Sequence, residues 1–127
     1  MKGKGIGYWV CTIAIALLLL SGGIMQVMRS PAAIEGITHL GYPVHFAVLL
    51  GVWKILGAIV ILLPGFALVK EWAYAGIFMD LSSASVAHTA AGDPAGNIIA
   101  PLVFTAVVAA SWALRPASRR LALSSAT

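Results

Sequence analysis

The chain has 127 residues, of which 61% are hydrophobic and only 9% charged, with a mean hydropathy of +0.98. A soluble domain carries about 25% charged residues, so this composition excludes a water-facing globule, and the length suits one compact unit. The net charge of +4 does not point to a nucleic-acid partner. Its carriers Lys2, Lys4, Lys70, Arg115, Arg119 and Arg120 lie near the ends of apolar stretches, where membrane-topology signals belong. The single cysteine, Cys11, excludes an intrachain disulfide, a dithiol redox pair and a cysteine-based zinc site.

The first apolar stretch, residues 6–27, follows Lys2 and Lys4 and contains the run Ile13-Ala14-Ile15-Ala16-Leu17-Leu18-Leu19-Leu20. It is longer than the apolar region of a signal peptide and lacks an A-x-A-like cleavage site, so it is expected to be a retained span. Residues 28–43 form the longest connection. Ser30-Pro31 has the character of an N-cap and first helical position, and Ile34, Ile37 and Leu40 share one face. A short amphipathic helix on the membrane surface accounts for both.

Three further stretches follow: residues 44–63, between Gly41-Tyr42-Pro43 and Pro64-Gly65; residues 72–91, ending at Gly92-Asp93-Pro94; and residues 97–114, before Arg115-Pro116. Each approaches the roughly 20 residues a membrane-crossing helix needs, and helices are required because lipid leaves the backbone to satisfy its own hydrogen bonds. Pro101 is expected to bend the last helix or to mark a later start. The expected fold is therefore all-α: a four-helix transmembrane bundle over residues 1–115, with a cytoplasmic tail of no fixed structure over residues 116–127. Six of the eight basic residues lie on one side of this scheme and Arg29 on the other, which places both termini in the cytoplasm. Tyr8, Trp9, Tyr42, Trp72 and Tyr74, near span ends, are expected to be interfacial anchors.

Chemistry-bearing residues are few. Lys54 lies in the middle of the second span, where an ammonium costs roughly 2.5–3.5 kcal/mol on insertion scales. Counting from the inner ends at 1.5 Å per residue places Asp80 of the third span at nearly the same depth. The two are expected either to neutralise each other as a buried ion pair or to form the polar floor of a ligand site. His45 and His88 match in depth near the outer side, and Ser85 belongs to a run of small and hydroxylated residues on the third span that favours close helix packing or a narrow polar crevice. Two facing histidines could ligate a haem iron, but isolated histidines that bond to backbone or water are commoner, so no haem is expected. His39 is a weaker third candidate. Asp93 is explained by turn chemistry alone, and Glu71, beside Lys70, is expected to be solvated. No nucleophile with an adjacent base, phosphate-binding loop or dinucleotide fingerprint is present, and no metal site is expected.

In order, Leu40-Gly41-Tyr42-Pro43, Leu50-Gly51-Val52-Trp53-Lys54-Ile55-Leu56-Gly57, Leu62-Leu63-Pro64 and Lys70-Glu71-Trp72-Ala73-Tyr74-Ala75-Gly76, continued by Asp80, His88 and Gly92-Asp93, resemble the DoxX-like family of small four-helix membrane proteins. The resemblance covers about residues 5–115. It implies a bacterial inner-membrane protein, and relatives in the broader group are linked to thiosulfate:quinone oxidoreduction, to complexes that handle oxidative stress, and more distantly to cargo handling or receptor assembly. With one cysteine this chain cannot inherit a dithiol mechanism. The leading expectation is an accessory or scaffolding subunit beside a redox or stress-defence partner in the lipid bilayer. The alternative is a binder or carrier of a quinone, lipid or small anion that uses Lys54 and Asp80. A catalytic oxidoreductase has least support, and so thin a bundle suits a homodimer.

Overall fold

The computed structural model describes residues 2–119, and within them every regular element is helical. The order is α1 (Lys2–Val27), α2 (Pro31–His39), α3 (Val44–Leu62), α4 (Ala67–Ala90) and α5 (Ala95–Ala113), followed by a 3₁₀ turn at Ala117–Arg119. The breaks fall where the sequence punctuates them. Arg29, Gly41, Gly65, Phe66 and Gly92 take left-handed backbone conformations, and Pro31, Pro43, Pro64 and Pro94 stand at or beside helix ends, where the missing N–H costs least.

Short helix α2 starts with Pro31 at its first turn and buries Ile37, leaving Ile34 and Leu40 half-covered on the same side. The long helices form a ring: α1 packs chiefly on α3, α4 chiefly on α5, and lesser α1–α5 and α3–α4 contacts close it. All four supply the core, made of Ile15, Ala16, Leu19, Ala58, Ile61, Tyr74, Ile77, Leu81 and Val108. Ala58 and Ile61 come late in α3, Tyr74 and Ile77 early in α4, and Val108 late in α5. The apolar packing is therefore concentrated toward the end of the bundle where the two ends of the described chain meet.

The α1–α3 seam is tight because both helices present glycine at the crossing. A Cβ on Gly51 would stand 2.7 Å from the Gly23 carbonyl oxygen, and one on Gly23 would stand 2.9 Å from that of Gly51. Only glycine allows this backbone approach, which gains dispersion contacts where lipid supplies no hydrophobic drive.

Three helical stretches are long and apolar enough to cross a membrane: Gly3–Val27, Val44–Leu62 and Ala95–Ala113. Helix α4 does not meet that standard, because it carries Lys70, Glu71, Asp80, three serines and His88. α5 runs unbroken through Pro101 and starts at Ala95, earlier than the sequence suggested; the Pro101 carbonyl accepts a bond from the Thr105 hydroxyl at 2.7 Å. In the tail, Ala117–Arg119 form the 3₁₀ turn and Arg119 bonds to the Ile61 carbonyl, and residues 120–127 lie outside the described residues.

Candidate functional site

Polar side chains gather at three levels. At one end, α2 and α4 finish with the same device. Leu40 and Ala91 cap them, Gly41 and Gly92 turn left-handed, and the next amides, Tyr42 and Asp93, bond back to Ile37 and His88 carbonyls at 3.2 and 3.0 Å. This termination sets the Asp93 carboxylate beside His88. His88 Nδ1 donates to Asp93 Oδ2 at 2.5 Å, and His39 Nε2 donates to Oδ1 at 2.6 Å. The Asp93 side chain is only 8% exposed. Hydrogen bonds from His88 and then His39 hold its carboxyl below the usual carboxylate range, against a smaller opposing effect of burial. Asp93, assigned to turn chemistry alone in the sequence, is thus the centre of a clasp between α2 and the α4–α5 turn.

Beside the clasp, the α2–α3 loop (His39, Leu40, Gly41, Tyr42) and α4 (Ser82, Ser83, Val86, Ala87, Ala90, Ala91) line an open groove of about 650 Å³. Small residues on α4 leave this space. Asp80 lies one turn below Ser83 on the same side of the helix.

The middle level holds Lys54 and Asp80, both half-buried. Register on the α3–α4 seam is read at Gly57, where an added Cβ would sit 3.7 Å from Ile77. Three residues further along each helix, away from the core, bring Lys54 and Asp80 to one depth. They lie within electrostatic reach of each other, yet no nitrogen–oxygen contact within 4.0 Å joins them. The Lys54 ammonium instead lies along α1, 3.8 Å from where a Gly22 Cβ would be.

At the opposite end from the clasp, residues expected to be solvated or interfacial are buried. Lys70 is fully buried and donates to the Leu63 carbonyl and, at 2.8 Å, to that of Gly65. Burial, and then the neighbouring Arg119, push its ammonium below the ordinary lysine range. Arg119 donates to the carbonyls of Ile61, Leu62 and Leu63 at 3.0–3.3 Å, so two cations meet the unpaired carbonyls and negative dipole end of α3. Arg119 also lies over the Trp9 ring at 4.7 Å.

Glu71 is bonded rather than solvated: it pairs with Arg115 and accepts from Trp112 Nε1 at 3.0 Å. Burial raises its carboxyl, but the bonds from Trp112 and Arg115 outweigh that and hold it below the usual range. Tyr8 and Tyr74 are 1% and 4% exposed and are not anchors. Tyr74 joins a buried chain of hydroxyls through Ser111 to Thr12, at 2.8 and 2.6 Å. Trp9, Tyr42 and Trp72 do face outward.

The remaining candidates separate. His45 is exposed and makes no hydrogen bond, while His88 is committed to Asp93, so no facing histidine pair forms. Ser85 is buried and spends its hydroxyl on the Ile98 carbonyl at 2.8 Å, tying α4 to α5. Among the described residues, no group of three or more histidine, cysteine, aspartate or glutamate side chains is arranged to hold a metal ion.

The sequence pattern of a known family matches residues 10–111. The chain belongs to the DoxX-like family. No curated protein and no solved structure matches it. Membership and the apolar helices make this DoxX-like chain a membrane protein in contact with the lipid bilayer.

Proposed function

We infer that this DoxX-like protein crosses a bacterial inner membrane four times, with both termini in the cytoplasm, and binds a small polar-headed molecule between Lys54 and Asp80. Support for four crossings comes from α4, whose 24 residues span about 36 Å at 1.5 Å each. It bonds to α1's neighbourhood at one end through Tyr74–Ser111–Thr12 and to α2 at the other through His88 and Asp93. A helix that follows its neighbours from end to end crosses whatever they cross. Its polar residues are largely engaged with other protein groups, as lipid requires.

The observation that carries the binding reading is that Lys54 and Asp80 share a depth without closing on each other. Charges inside a membrane are costly unless partnered, and two half-buried, opposite charges that do not pair with each other each call for a further partner. The ammonium supplies a donor for a carbonyl, carboxylate or phosphate oxygen, and the carboxylate balances the charge. The groove on α4 is lined by Ser83, one turn from Asp80. Titration of the detergent-solubilised protein with dodecanoate, followed by thermal stability, tests this. Stabilisation is expected in the wild type and its loss in Lys54→Met. Equal stabilisation of both would remove Lys54 from the site.

A second reading, an accessory subunit of a redox or stress-defence complex or a homodimer, draws on the exposed apolar face of α1. Gly5, Ile6, Trp9, Val10, Ile13, Ala14 and Leu17 form a shallow depression there. A partner's helix fits such a face as well as lipid chains do.

A further inference from the structure

Gln26 is the unexplained polar residue of this bundle. It is 6% exposed near the end of α1, and its Oε1 is buried without a hydrogen-bond partner. The other buried polar side chains are engaged: Thr12 with Ser111, Tyr74 with Ser111, Ser85 with Ile98, and Lys70 with Leu63 and Gly65. Among the described residues, Gln26 Oε1 is the one buried side-chain atom left unsatisfied. An orphaned acceptor costs more than an apolar side chain of the same shape in that place. Leucine would serve better if packing were all that position did.

Its location gives the orphan a meaning. Gln26 lies one turn from Gly22 along the same side of α1, and Gly22 faces the Lys54 ammonium. From α3 the same neighbourhood appears independently. A Cβ on Gly51 would touch Gln26 Cβ at 2.9 Å, and one on Gly23 would touch Lys54 Cβ at 3.1 Å; Gly51 and Lys54 are themselves one turn apart. Gln26 therefore sits one turn beyond Lys54 on the α1–α3 seam, above the apolar core.

We propose that Gln26 is a third polar group of the Lys54–Asp80 site, and that its carbonyl accepts a hydrogen bond from the hydroxyl of a neutral, hydroxyl-headed amphiphile. This rests on the reading of Lys54 and Asp80 as a binding pair and adds the ligand's chemistry. Lys54 and Asp80 balance in charge, so the pair accommodates a neutral head as well as an anionic one. An ammonium donates to its oxygen, and a hydroxyl supplies the donor that the buried Gln26 Oε1 is without. A head with no O–H leaves Gln26 as unsatisfied as it is in the free protein.

Thermal titration of the solubilised protein with 4-octylphenol and 4-octylanisole, which differ by that one donor, decides the matter. The wild type is expected to bind the phenol about tenfold more tightly, the effect of one buried hydrogen bond. In Gln26→Leu the two should bind within about twofold of each other. The wild-type comparison stands even if that variant fails to fold. Equal binding of both by the wild type, binding of neither, or a preference that survives in Gln26→Leu overturns the proposal; the first outcome means that a trapped water satisfies the amide. Dodecanoate separates the two levels of the account. If it still stabilises the wild type while phenol and anisole are not distinguished, Gln26 fails and the Lys54 site stands.

Discussion

Asp93 receives imidazole hydrogen bonds from partners 54 and 5 residues away in sequence, and this double bond has a pH signature. Its folded-state pKa lies below the unfolded value, so the unfolded chain binds the proton more tightly. The stabilisation is complete above the unfolded aspartate value, about 3.9, and is lost as pH falls from there through the folded value. Asp93→Asn should therefore melt earlier than the wild type near neutral pH, and the gap should close on acidification below about pH 4. A gap that stays constant into that range would remove Asp93 as its source. Glu71, also held low, adds stability of the same sign at the other end of the bundle, so the wild type's own acid limb reflects both groups. Asp93 and Glu71 were the residues least legible in the sequence. An aspartate in a Gly-Asp-Pro turn and a glutamate beside a lysine each have a sufficient local explanation, and their actual partners, His39 and His88, Trp112 and Arg115, are brought to them by tertiary packing.

Among the elements, the α1–α3 crossing is where packing is most demanding. Gly51→Ala would put a methyl 2.7 Å from a backbone oxygen, which cannot move without shifting α1, and the expected cost is about 1–3 kcal/mol. Gly76, on α4, has nothing within 4 Å of an added Cβ. Gly76→Ala should be neutral or stabilising, by up to about 1 kcal/mol from helix propensity. Thermal melts of the two variants check the contrast, and equal losses would contradict the crossing. The helices themselves were readable because proline and glycine mark their ends, and α2 because Ser30-Pro31 and the spacing of Ile34, Ile37 and Leu40 are strong local signals. What the sequence hid was which faces point inward. In lipid the outside of a helix is as apolar as the inside, so periodicity does not distinguish them; Tyr8 and Tyr74 looked like anchors and are core residues with bonded or buried hydroxyls. Lys54 and Asp80 stood out because a charge in an apolar stretch is costly unless it is partnered. Gln26, uncharged and near a span end, gave no such signal.

At the scale of the whole molecule, Arg119 bonds both to Tyr8, near the start of α1, and to the carbonyls ending α3. Both ends of the described chain therefore lie at one end of the bundle, as an even number of crossings requires. A reporter active only outside the cytoplasm should be silent when fused after Thr127 and active when inserted at Gly36, in α2. The reverse pattern would invert the orientation, and activity at both places would break the count of four. With that topology, the clasp and groove face outward, the Lys70–Arg119 cluster faces the cytoplasm, and the ligand binding proposed for Lys54 and Asp80 falls between them. Native mass spectrometry in mild detergent tests this central claim most directly. The wild type is expected to carry a small-molecule adduct that is absent from Lys54→Met/Asp80→Leu. An adduct retained by the double variant, or a wild type that carries only a stoichiometric protein subunit, would contradict it.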